Sequence, residues 1–143
     1  MSDQPIKASD GALELMKLRG LGALAEKMGI ELVELSAERA VATMPVSGNT
    51  QPIGLLHGGA HVVLAESLGS FAANVHAHPW GYAVGIELNA THHSSITEGV
   101  VTGTCVAIKL GKTLTSHEIS MTDETGRLLS TVRITNYLRP KGQ

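Results

Sequence analysis

Aromatic side chains are nearly missing from this chain: one Trp, two Tyr and one Phe serve 143 residues. Any core must therefore be assembled from Val, Leu, Ile, Ala and Met. Cysteine occurs once, as Cys105, so an intrachain disulfide is excluded. That lone thiol, with an N-terminus that carries no secretory signal, makes the cytoplasm the expected compartment. No apolar run reaches the ~20 residues of a membrane-spanning helix, so a membrane is not an expected partner. Basic runs are absent and the formal net charge is −2, with a pI of about 6.4. This balance argues against a nucleic-acid footprint. The chain also lacks internal repeats, low-complexity tracts and a recognisable linker.

What remains is a globular composition, 43% hydrophobic and 17% charged, of a length that suits one domain over residues 1–143. Residues 1–8 carry no pattern and are expected to fray. Ser9 or Asp10 can cap a helix from Gly11 to Arg19, whose apolar residues pair three apart, Leu13 with Met16 and Leu15 with Leu18, while Glu14 and Lys17 mark the wet side. Gly20-Leu21-Gly22 breaks it, and Ala23 to Lys27 adds a turn, so the helical region is about 9–27. Ile30 to Ser36 and Glu38 to Val46 read as strands, the second with Val41 and Thr43 on one face and Ala42, Met44 and Val46 on the other. Four more β-rich segments follow: Tyr82 to His93, Gly99 to Leu110, Thr113 to Thr122 and Arg127 to Leu138. Turn signals separate them, which predicts an antiparallel meander.

Between the two groups of strands lies the segment that organises the rest, Gln51 to about Ala77. It starts as a Pro/Gly-bearing loop, passes His57-Gly58-Gly59 and becomes an apolar run of helical length. The expected fold is thus α+β, an antiparallel sheet of about five to six strands wrapped around a long central helix. Glu66 sits mid-helix, and a lone buried carboxylate is costly unless it is paired, neutralised or used. The two glycines allow close backbone approach at the helix start. The free N–H groups there, that of Gly59 above all, suit a developing oxyanion. Ser70, one turn beyond Glu66, lies on the same face.

Other histidines invite a metal reading, but the spacing excludes a simple one. His92 and His93 are neighbours on a strand and point to opposite faces. His76 and His78 flank a helix end, and no Cys or carboxylate cluster accompanies any of them, so no metal site is expected. Cys105 reads as a small core residue.

The pattern Gln51, His57-Gly58-Gly59, Glu66-Ser67 and Ser70, with steps of six and nine residues from Gln to His to Glu, resembles the hotdog-fold acyl-CoA thioesterases. It is most similar to the small bacterial subgroup that acts on aroyl-CoA esters such as 1,4-dihydroxy-2-naphthoyl-CoA, or that proofreads aryl carrier proteins. The resemblance spans about Gly20 to Leu138. It implies hydrolysis of an acyl-CoA or carrier-protein thioester with no cofactor, in a homodimer or a homotetramer of paired dimers whose sites lie at the dimer interface. Gln51 and His57 would come from one subunit, and Glu66, Ser67 and Ser70 from the other. Glu66 would act as nucleophile or general base. Gln51 and His57 would position the thioester and Gly59 would stabilise the oxyanion. Ser67, Ser70, His92, Gly58 and Leu56 would line the substrate site. The subgroup often holds CoA phosphates with arginines after the histidine, where this chain has Ser94 and Thr97; Lys112 is the substitute candidate. Two alternatives stay open at this level: a hotdog enoyl-CoA hydratase or dehydratase, and a non-catalytic acyl-CoA binding module.

Overall fold

The structure, a computed structural model, describes residues 4–142. The N-terminal segment is more ordered than its composition predicts. Lys7–Ala8 forms a two-residue strand, β1, parallel to Glu34 and Leu35; residues 1–3 lie outside the described part. Helix α1, Asp10–Arg19, starts where Ser9 accepts the Ala12 N–H at 3.3 Å. Gly20 (φ 64°) takes up the left-handed backbone that stops it and donates its N–H to Met16 O. Glycine adopts such a positive-φ backbone at no steric cost. The short helix α2 covers Ala23–Lys27.

Strand β2 is Glu31–Leu35 and β3 is Arg39–Pro45. The alternation of β3 holds: Ala40, Ala42 and Met44 are fully buried, as is Val46 just beyond, while Val41 and Thr43 face the other way. Pro45 ends the strand. Helix α3 runs Gly58–Ala77, followed by β4 (Gly81–His92), β5 (Val100–Leu110), β6 (Leu114–Thr122) and β7 (Leu128–Pro140).

The sheet order is β1-β2-β3-β5-β6-β7-β4. Only β5-β6-β7 forms the expected meander. The segment Tyr82 to His93 does not pair with its successor. It crosses the helix and adds itself to β7, antiparallel from Gly81↔Pro140 to His92↔Ser130, whereas β5 pairs with β3. The reason is geometric: α3 separates β3 from β4, and the strand leaving the helix reaches the far edge of the sheet first. The result is the α+β hotdog arrangement, a curved sheet around a long helix. One face of α3 fills the concavity, through Leu64, Ala65, Leu68 and Ala72, against Met44, Val101, Ile119, Met121, Val132 and Ile134. Gly69 is the closest approach, since a Cβ there would collide with Ile134 Cγ2.

Within one chain the sheet leaves part of α3 uncovered. Its Glu66 face lies beside β4, and β4 is the edge of the sheet. From Val84 to Glu87 the strand is exposed, with Val84 at 41% and Ile86 at 58%, and a register shift between Gly85 and Glu87 bulges the edge at Ile86.

Candidate active site

The loop before α3 is held from several sides. Asn49 donates its amide to Met28 O and Pro45 O, each at 2.8 Å, and its carbonyl accepts the His57 N–H at 2.9 Å. The Leu56 N–H donates to Ile96 O at 2.8 Å, and the Leu56 side chain is in the core. Leu56 thus supports the loop and also lines the small cavity at the start of α3. Within the loop, Gln51 Oε1 accepts the Ile53 N–H at 2.6 Å. Because that partner is a donor, the amide NH2 of Gln51 is the end left for another group.

His57 is the N-cap of α3, and its Nδ1 accepts the Gly59 N–H at 2.8 Å. This corrects the role expected of Gly59: its N–H does not stand open for a carbonyl oxygen, because the preceding imidazole folds back onto it. The Ala60 N–H is likewise engaged by His57 O at 2.9 Å. The Gly58 N–H is the first of the helix not so engaged. With Nδ1 accepting, a neutral His57 carries its hydrogen on Nε2, directed away from the helix. The ring is exposed.

Both glycines have a steric reason. A Cβ at Gly58 would lie 2.7 Å from His92 Nε2, and one at Gly59 would lie 2.9 Å from His57 Nδ1. Each imidazole occupies the space where a side chain would be. His92 is oriented from behind. Ser130 donates its hydroxyl to Thr91 O at 3.1 Å, so it accepts from His92 Nδ1 at 2.9 Å, leaving Nε2 unprotonated in the neutral ring. His93 turns to the other face and bonds Thr131 Oγ1 at 2.9 Å. The sequence expected that divergence.

Glu66 is exposed in the single chain, so the fold of one chain does not by itself bury the carboxylate. Oε1 lies 3.2 Å from the Cβ position of Gly85, so the bare backbone of the β4 edge makes room for it. Ser67 and Ser70 are half-buried beside it. Ser70 donates to Asn136 Oδ1 at 3.3 Å. Ser70 and Phe71 also line an apolar cavity of about 270 Å³ between α1, α3 and β2, with Leu15, Met16 and Leu32. Lys112 is exposed in the β5–β6 turn, away from this cluster.

Three neighbours escaped sequence reasoning. His61 is buried, 3% exposed, against His92; its signal was a spacing of four from His57 along one helix face. Burial first, and the nearby His92 second, lower its pKa to about 4. Ser130 and Asn136 are polar residues at the inward parity of β7, among Val132, Ile134 and Leu138, all buried. Cys105 is inert as expected, burial pushing its thiol up to about 12.

Within one chain the two halves of the predicted site stay apart. His57 and Glu66 are nine residues apart on one helix, roughly 13 Å along its axis. One reacting carbonyl cannot touch both.

Comparison with known proteins identifies the family. Residues 53–130 match the profile described as the thioesterase superfamily. The chain is 42% identical over 123 residues to the proofreading thioesterase EntH of Cronobacter turicensis, covering 85% of this chain and 90% of that protein. Its structure resembles that of a thioesterase from Pseudomonas aeruginosa, with a TM-score of 0.82, 36% identity and coverage of 90% and 94% of the two chains. A thioesterase from Haemophilus influenzae superposes with a TM-score of 0.85 at 29% identity, covering 98% of each.

Proposed function

The chain belongs to the thioesterase superfamily and is a thioester hydrolase, and from that premise we propose that it cleaves acyl-CoA or carrier-protein thioesters bearing an aromatic acyl group. The site is built from two copies of the chain, with Glu66 as the acid–base or nucleophilic group. The observation that carries this reading is the exposure of Glu66 beside an unpaired apolar edge, with the His57 turn roughly 13 Å away on the same helix. A second copy pairing along β4 covers Val84, Ile86 and Glu66 together. It runs the partner helix alongside and brings the partner's loop to this carboxylate. Two such dimers can pair again into a tetramer.

In that arrangement the thioester carbonyl lies at the start of α3. The Gly58 N–H, at the positive end of the helix, stabilises the oxyanion. The Gln51 amide NH2 positions the ester or the attacking water. Glu66 removes a proton from that water while the water oxygen bonds to the acyl carbon; the C–S bond then breaks, the His57 Nε2–H faces the departing thiolate, and the proton held by Glu66 passes to that sulfur. The products are the carboxylic acid and the thiol. Ser67 and Ser70 flank the acyl group.

The test is Glu66→Gln assayed with benzoyl-, hydroxybenzoyl- and naphthoyl-CoA against straight-chain acyl-CoAs. General base catalysis supplies about 10²–10⁴ in rate, so kcat is expected to fall by about 10³. A fall within about tenfold, ~1.4 kcal/mol of barrier, refutes the assignment. A preference for straight-chain esters refutes the aromatic pocket.

A further inference from the structure

A second polar feature adjoins the start of α3, and the chemistry above makes no use of half of it. A cavity of about 250 Å³ lies between that helix end and the segment after β4, with His61, His92, Leu55, Leu56, Gly58 and Ser94 in its wall. His61 is 3% exposed and its Nδ1 is enclosed without a hydrogen-bond partner. Its ring centroid lies 5.4 Å from that of His92, the planes tilted by 33°. An apolar residue would fill that helix position without stranding a nitrogen, so the imidazole calls for a role.

The hydrogen positions follow from the surroundings. An enclosed N–H without an acceptor is the rarer orphan, and a bare nitrogen the more tolerable one. His61 therefore keeps its hydrogen on Nε2, the nitrogen not enclosed. Its lowered pKa, about 4, keeps the ring neutral. His92 is the complement. Nδ1 donates to Ser130, so Nε2 presents a lone pair beside Gly58. One wall of the cavity thus offers a donor and an acceptor a few ångströms apart, while Leu55 and Leu56 make the other apolar.

We propose that His61 and His92 form a subsite for an uncharged substrate group that both accepts and donates a hydrogen bond, a hydroxyl or a secondary amide. The subsite rests on the thioesterase reading, because the cavity begins at Gly58, where the carbonyl is placed. The group has two possible sources in one substrate: a hydroxyl on the acyl ring, or the amide of the thiol arm nearest the sulfur.

The experiment compares the unaltered protein with His61→Phe, which keeps a buried ring and removes both nitrogens. The substrates are benzoyl-CoA, 4-hydroxybenzoyl-CoA, and the S-(2-acetamidoethyl) and S-propyl thioesters of benzoic acid. A lost hydrogen bond of ordinary strength lowers kcat/KM by about tenfold, chiefly through KM, for the member of each pair that carries the recognised group. The member lacking it changes little. The hydroxyl pair and the amide pair separate the two sources. Equal loss on all four, or none, overturns the subsite. If His61→Phe does not fold, imidazole ¹⁵N spectra of the unaltered protein with S-phenacyl-CoA and S-(4-hydroxyphenacyl)-CoA decide it. Shifts at His61 Nε2 and His92 Nε2 are expected, and none at either overturns the proposal. Absence of turnover by the unaltered protein on all four esters would count against the thioesterase reading instead, and the spectra would still judge the subsite.

Discussion

His92 Nε2 stands 2.7 Å from the point a Cβ on Gly58 would occupy. The end of β4 and the start of α3 therefore interlock through a missing side chain. Gly58→Ala must push the ring off Ser130 or tilt the helix start. Thioester hydrolysis is expected to fall by about tenfold to a hundredfold, since small misplacements at a reacting centre are costly. Tm should change far less than activity. Near-normal kcat/KM in a folded Gly58→Ala would show that His92 is free to move without consequence.

Glu66 and His57 belong to one thioester only if two chains share it. Glu66→Ala and His57→Ala are each expected to be nearly inactive alone. Unfolded together and refolded at equal ratio, they form mixed dimers with one intact site and one doubly broken site. Random pairing then restores about a quarter of the unmixed wild-type activity, by the two-fold symmetry of the pair. Failure to recover any activity, with mixed dimers demonstrated by mass spectrometry, would rule out the shared site.

His61 makes stability pH-dependent, and the sign follows from its depressed pKa. Between about 6.5 and about 4 the unfolded chain binds a proton on this residue and the folded chain does not. Stability contributed by the neutral ring is full above about 6.5 and is lost as pH falls toward about 4, a loss of about 3 kcal/mol at most. His117 acts in the same direction. It is fully buried, its Nε2 donates to Ala37 O at 2.9 Å, and burial lowers its pKa. Urea midpoints at pH 7, 6 and 5 should fall steadily, and His61→Phe should flatten the slope. Parallel slopes in the two proteins would contradict the assignment.

Gly69 sits where α3 presses on β7. Alanine gains up to about 1 kcal/mol of helix propensity over glycine. Here its methyl collides with Ile134, whose side chain is 1% exposed and has nowhere to go. Overpacking of this kind costs about 1–3 kcal/mol, so Gly69→Ala is expected to lower the urea midpoint. A raised midpoint would mean that the helix can lift from the sheet at no cost.

Much of this was legible in the residues because it is local. The Ser9 cap, the Gly20 stop, the alternation of Ala40, Ala42 and Met44, and the length of the apolar helix all follow from periods of 2 and 3.6 and from backbone stereochemistry. The opposite facing of His92 and His93 is the same argument. The pairing of β4 with β7 was not legible, because strand neighbours are chosen by how the chain passes the helix and not by the strand's own composition. Ser130 and Asn136 look like ordinary strand residues until the far strand and the helix arrive over them.

By itself the sequence determined the elements, the apolar face of the helix and the presence of Gln51, His57 and Glu66 at set spacings, since each depends on neighbours a few residues away. Tertiary structure alone decided that the Gly59 N–H is held by His57, that His61 packs against His92, and that Glu66 lies open beside the β4 edge. Those outcomes depend on which distant surfaces meet. Hydrogen-bond partners and solvent exposure are properties of that meeting, and no local pattern carries them.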